Sequence, residues 1–218
     1  MDKYIRYLWY HKNHMNYPKE IEYIVGIDEV GRGPIAGPVT LGGVMITKEF
    51  YTDESNTFFD SIKDSKKLSE KKREEWYELT EVQKKLDNIS YSVASVSPSV
   101  IDKIGIVKSI ARALNAVLKK LDADPQKTYI LLDGGLYAPD SFIHQETIIK
   151  GDQKEAVIAL ASIVAKVTRD REMIINGSIF SHYGFEKHKG YGTKAHYEAI
   201  KNHGPCSIHR RSFLKTIE

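Results

Sequence analysis

An apolar run that ends in two neighbouring acids constrains this chain more than any other feature. Residues 23–29, YIVGIDE, read as a strand, and the segment that follows, GRGPIAGP, is too rich in glycine and proline to be anything but turn or loop. Acids are depleted in apolar strands, so Asp28 and Glu29 call for a reason other than folding. Open α/β sheets supply one, because their sites lie outside the carboxyl ends of strands.

The rest of the chain suits such a sheet. Residues 39–46 read as a second strand, and the polar stretch from Phe50 to Ser61 as a loop. Ser69 is placed to cap a helix to about Leu86, with Trp76, Leu79, Val82 and Leu86 at helical spacing. Residues 89–96 alternate as a half-buried strand does. Ser97-Pro98 opens a helical region whose apolar stripe is Ile106, Ile110, Ala113, Leu114, Val117 and Leu121. Thr128–Asp133 is a short buried strand, and residues 143–150 are another. A long helix is expected over residues 153–175, with Val157, Leu160, Ala161 and Val164 inward. A short helix over residues 194–202 stops at Gly204-Pro205. This order gives an α/β domain with a mixed sheet and a helical C-terminal portion.

Asp133 and Asp152 join Asp28 and Glu29 as acids in costly places. Asp133 ends the strand TYILLD before Gly134-Gly135, and Asp152 lies at the start of the long helix. Carboxylates converging at strand ends repel unless a cation shares them, and their oxygens suit Mg²⁺. Taken locally, Asp152 is equally an acid favoured by the helix dipole, and Asp133 a turn former. Neighbouring strand residues face opposite ways, so Asp28 and Glu29 reach one ion only if the strand ends or bulges there. Otherwise Glu29 contributes through its carbonyl or reaches a second ion.

Other chemistries fail on spacing. After Gly31-Arg32-Gly33 the next glycine is Gly37, one position late for a dinucleotide fingerprint, and no Gly-Lys-Ser/Thr follows for a P-loop. The histidines at 182, 188, 196, 203 and 209 have no standard zinc spacing, and Cys206 has no CxxC partner. There is no GxSxG elbow. Net charge is only +3, but it is uneven. Residues 63–73 hold six Lys/Arg against two acids, and residues 182–218 hold seven against three, with five of the eight histidines. Two basic segments suit a polyanion, although each is also an ordinary solvated face. Tyr191, between Gly190 and Gly192, could stack on a sugar or base with its backbone close to a duplex, or simply pack.

At 218 residues and 24.8 kDa the chain can bury a sizeable core without a disulfide or zinc. The longest nearly apolar run, Ala156–Ala165, is too short to span a bilayer. The N-terminus carries no signal-peptide pattern, and Cys206 is alone. A soluble cytoplasmic protein with no membrane association is expected.

Six segments, taken in order, resemble bacterial ribonuclease HII. They are GIDEVGRGPIAGPV (26–39), DSKKLSEKKR (64–73), LLDGG (131–135), KGDQKEAVIALASIVAKVTRDREM (150–173), HYGFEKHKGYGT (182–193) and HRRSF (209–213). The resemblance implies a ribonuclease H-like mixed β-sheet flanked by helices, with a helical C-terminal extension. It implies cleavage of the RNA strand of RNA–DNA hybrids, and nicking of duplex DNA at embedded ribonucleotides, with two Mg²⁺ or Mn²⁺ ions. Carried over by motif, Asp28, Glu29, Asp133 and Asp152 would be the catalytic, metal-holding acids. Gly31-Arg32-Gly33 would sense the ribose 2′-OH, Lys66 would contact phosphate, and Tyr191 would lie against the sugar at the RNA–DNA junction.

The division expected from this is an N-terminal extension of unassigned role (1–22), a catalytic domain (23–180) and a basic substrate-binding region (181–218), in a monomer. Gly105 and Gly135 depart from the family's usual asparagines. Two rivals stand beside this reading. A resolvase or integrase of the same fold would prefer junction DNA, and a catalytically dead hybrid-binding module would lack the acids this chain retains.

Overall fold

The computed structural model describes residues 17–53, 55–59, 62 and 68–214. Five strands form one sheet: β1 (Tyr23–Val30), β2 (Val39–Thr47), β3 (Ile89–Val96), β4 (Thr128–Asp133) and β5 (Gln145–Ile148), in the order β3-β2-β1-β4-β5. β1 pairs antiparallel with β2, and β2 with β3, while β1–β4 and β4–β5 are parallel. The sheet is therefore mixed, with β1 at its centre. Among the described residues the helices are α1 (Lys48–Thr52), α2 (Glu70–Lys85), α3 (Pro98–Ile104), α4 (Ile106–Lys120), α5 (Ala156–Ile179), α6 (Phe185–His188) and α7 (Lys194–His203).

Strand alternation divides the core in two. Ile24, Val44, Ile46 and Leu131 face α5, which supplies Val157, Leu160, Ala161 and Val164 as its periodicity predicts. Val25, Ile27, Leu41 and Ile130 face α4, whose Ile110, Ala113, Leu114 and Val117 complete the other layer. The α5 contact is unusually close. A Cβ on Gly26 would stand 2.4 Å from the backbone carbon of Val157. Only glycine fits that crossing, because backbone, unlike a side-chain tip, cannot yield.

Several sequence expectations shift here. The Phe50–Ser61 stretch is not merely a polar loop. It holds α1 and an aromatic cluster in which Phe58 meets Phe59 and Trp76 edge-on at 5.0 and 5.5 Å. Ser69 does cap α2, accepting the Lys72 N–H at 3.3 Å, and Trp76 is buried. Leu79, Val82 and Leu86 of the same apparent stripe are exposed, because the face that α2 buries runs through Trp76 and Thr80, one turn apart, and turns those three away. The helix expected from residue 153 begins at Ala156, behind a 3-10 turn at Gly151–Gln153. The strand expected over 143–150 shortens to Gln145–Ile148. Gly105 separates α3 from α4 at φ 82°, ψ 161°, a region open essentially to glycine alone. No helix among the described residues is long and apolar enough to cross a membrane.

Candidate active site

The parallel register of β1 and β4 sets Ile27 opposite Leu132. Carried one residue further, it places Asp28 beside Asp133 at the carboxyl ends of both strands. Both acids have the parity of Gly26 and Leu131, which face α5. Asp28 is 2% exposed, and its Oδ1 accepts the Glu29 N–H at 2.7 Å. Asp133 Oδ1 accepts the Gly151 N–H at 2.6 Å, which ties the turn carrying Asp152 to the end of β4. Asp152 itself is fully buried in that turn, so it is not a first-turn acid of α5. Asp28 and Asp133 thus end neighbouring strands on one side of the sheet, and the turn that carries Asp152 is tied to Asp133.

Glu29 does not join them by strand parity. β1 continues through Val30 without a bulge, and Glu29 pairs across to Leu41 on the α4 side. Its carboxylate meets Arg32 Nη1 at 3.5 Å, a loose ion pair. It also lines a pocket of about 310 Å³ with Arg32, Gly33, Arg73, Lys166 and Tyr191. Among the described residues no three His, Cys, Asp or Glu side chains form a ready-made metal cage. Carboxylate oxygens offered by two strand ends and a turn still fit a hard cation by donor chemistry, since Mg²⁺ takes few protein ligands and keeps its waters.

The glycine turn after β1 is held by two buried arginines, of which Arg210 belongs to the C-terminal segment read as surface charge. Arg210 donates from Nε to Gly37 O at 2.9 Å, from Nη1 to Arg32 O at 3.0 Å and from Nη2 to Gly31 O at 2.6 Å. Arg169 of α5 donates to Pro38 O, Lys189 O and Ala36 O. Burial, aided by the charge of Arg169, pulls the Arg210 guanidinium down to about 9. Arg210 is therefore unavailable to phosphates, which corrects the expectation for this part of the basic tail. Gly31 turns at φ 83°, and a Cβ there would strike Arg169 Nε at 2.3 Å. Asp102, which no motif singled out, anchors the tail by accepting the N–H groups of Arg211 and Ser212 at 2.9 and 3.0 Å.

Tyr191 is 45% exposed and borders the same pocket. A Cβ on Gly33 would lie 4.0 Å from its Cε1, so the glycine turn and the ring face each other. The flanking glycines are required inside the protein itself. A Cβ on Gly190 would meet Ala36 O at 2.3 Å, and one on Gly192 would meet Tyr197 Oη at 2.7 Å. Gly190 O accepts the Ile35 and Ala36 N–H groups at 3.0 and 3.2 Å, which stitches this loop to the glycine turn. Beneath it lie His196 and His209, both buried and pushed down to about 4, chiefly by burial. They do not carry positive charge toward a partner. Lys66 lies outside the described residues.

The profile of the family described as Ribonuclease HII matches residues 25–216. The chain belongs to the ribonuclease HII family. It is 44% identical over 195 residues to Ribonuclease HII of Caldicellulosiruptor saccharolyticus, covering 89% of this chain and 88% of that one. Over 195 residues it is 47% identical to Ribonuclease HII of Bacillus cereus, covering 89% of this chain and 70% of that one. Among solved structures it resembles ribonuclease HII in the PCNA complex from Archaeoglobus fulgidus. The TM-score there is 0.69 at 26% identity, covering 88% of this chain and 94% of that one. As a member of that family the chain is a ribonuclease H (EC 3.1.26.4) acting on RNA–DNA hybrids, and it has the fold that its motifs implied.

Proposed function

We propose that the enzyme also nicks duplex DNA at embedded ribonucleotides, leaving 5′-phosphate and 3′-hydroxyl ends. The observation that carries this reading is the junction of two features around one opening. The acid-bearing end of β1 runs directly into the glycine turn, and the turn faces Tyr191 across the pocket. Asp28, Asp133 and Asp152, with Glu29 contributing through its carbonyl or at a second ion, would hold two Mg²⁺ or Mn²⁺ ions. Such a pair, when bound, activates a water for in-line attack and stabilises the leaving 3′ oxygen.

The chain's own residues select the substrate. The Gly31-Arg32-Gly33 turn is held from behind by Arg210, which binds the carbonyls of Gly31 and Arg32, and its front is left for a ribose 2′-OH. That hydroxyl is what separates RNA from DNA at a given sugar. Tyr191 offers its ring to the adjoining sugar. Arg32, Arg73 and Lys166 give the pocket positive charge for the backbone, and Lys66 would extend that contact. Residues 181–218 act as the substrate-binding region of a catalytic body at 23–180. Residues 1–22 form an extension to it, in a cytoplasmic monomer.

The test is a duplex with one embedded ribonucleotide, assayed beside a continuous RNA–DNA hybrid, with Mg²⁺ and in excess EDTA. Metal-dependent cleavage of both substrates is expected. Undiminished cleavage in EDTA would end the metal reading. Hybrid cleavage without nicking would end the embedded-ribonucleotide reading.

A further inference from the structure

The polar interior beneath Tyr191 is a directed chain of hydrogen bonds. Cys206 N–H points at His209 Nδ1 at 2.9 Å, so that nitrogen accepts and the ring proton sits on Nε2. His209 Nε2 faces His196 Nε2 at 3.0 Å, which must then accept. The His196 proton is left on Nδ1, and Nδ1 faces Tyr191 O at 2.9 Å. Every ring nitrogen of the pair is thus committed, in one direction, from the Cys206 amide to the Tyr191 carbonyl. A proton added to either ring would turn an acceptor into a donor and break the chain.

The surroundings support neutral rings. His188 stacks on His196 at 4.3 Å, and its Nδ1 accepts the Gly190 N–H, which leaves Nε2–H for Tyr183 O at 2.7 Å. Tyr183 and Phe185 pack edge-on or tilted against the pair, Cys206 Sγ lies 3.1 Å from His209 Nδ1, and the nearby charge of Arg211 opposes protonation. The consequence falls on one residue. Gly190 O is fixed by the glycine-turn amides, and the next carbonyl, Tyr191 O, is fixed by His196. Tyr191 O also accepts the Thr193 N–H at 2.8 Å, and the Tyr191 N–H donates to His188 O at 2.9 Å. His196 is therefore the side-chain member of the set of bonds that fixes the direction in which the Tyr191 side chain leaves the backbone.

We propose that His196 and His209 are positioning residues for substrate recognition, a neutral imidazole pair that holds the Tyr191 ring at the pocket mouth for the sugar of an embedded ribonucleotide. This rests on the reading of Tyr191 given above. The substitution that tests it is His209→Leu, measured on both the embedded-ribonucleotide duplex and the continuous hybrid. It should lose about tenfold more activity on the embedded substrate than on the hybrid, the scale of one lost sugar or base contact. His209→Gln, which can keep a donor near Nε2, should recover most of that selectivity. Tyr191→Ala combined with His209→Leu should be no less selective than Tyr191→Ala alone.

An unchanged substrate ratio in His209→Leu, or additive losses in the double variant, would overturn the proposal. If Tyr191→Ala lowers both activities equally, the Tyr191 reading itself fails, and that single variant shows it. The wild-type protein gives a measurement that needs no variant to fold. Long-range ¹H–¹⁵N spectra of histidine-labelled enzyme near neutral pH should show His196 protonated on Nδ1 and His209 on Nε2. Either ring charged, or in the opposite tautomer, would overturn the relay.

Discussion

Two buried polar regions of this enzyme are built in different ways. At the carboxyl ends of β1 and β4 the acids are placed by strand register, so positions close to one another in the strands determine where each carboxylate goes. Around Tyr191 the polar groups are placed by pairing with main-chain atoms far off in sequence, as when Arg210 binds the carbonyl of Gly31. The first region concentrates like charge, which on the function proposed above is arranged for a cation. The second contains guanidinium groups and imidazoles whose hydrogen bonds go mostly to main-chain groups. On that reading one is organised for chemistry and the other for shape, and substitutions should separate them.

The largest separation is expected from Asp28→Asn. Removing one of several crowded charges relieves repulsion, so the melting temperature should hold or rise. Turnover should fall by about a thousandfold, or roughly 4 kcal/mol of barrier. A variant with near wild-type turnover would remove Asp28 from the catalytic set. Arg210→Met should do the reverse in kind. It strands three buried carbonyls, at an expected cost of about 3–5 kcal/mol. For a chain of this size that lowers the melting temperature by roughly 10 °C. Calorimetry showing an unchanged melting temperature would mean that the glycine turn does not depend on Arg210.

The smallest of these effects is pH-dependent. His196 and His209 are depressed from 6.5 to about 4 in the fold. The unfolded chain therefore binds protons first, and the stability the neutral pair contributes is complete above 6.5. It is lost as pH falls toward 4, by on the order of 3 kcal/mol for the coupled pair. Thermal melts across that window should show the decline, and His209→Gln should flatten it. A decline as steep in the variant would assign the effect to other groups.

The contrast also decides what the sequence could reveal. Asp28, Asp133 and the sheet around them were legible because an acid closing an apolar run is visible within seven or eight residues. The separation of Glu29 followed from strand alternation alone. Arg169, Arg210, His196 and His209 were not legible as interior groups. Their partners are main-chain atoms elsewhere in the chain, which leave no mark in side-chain patterning, so the three in the C-terminal segment looked like surface charge. Asp102 was missed for the same reason. The glycines around Tyr191 were seen but read outward, because a glycine records that something comes close and not what. Leu79, Val82 and Leu86 show the converse, a regular stripe that the packing leaves bare beyond Trp76.

The bond from Arg210 to Gly31 spans 179 positions of the chain, and its neighbours to Arg32 and Gly37 span nearly as many. During synthesis the strands, and the acids at their ends, are made long before residue 210 emerges from the ribosome. A nascent chain can therefore own its hydrolytic groups while the turn that would choose a substrate still lacks its brace. Contacts of such long sequence separation cost the most closure entropy, so docking of the tail is expected late in folding.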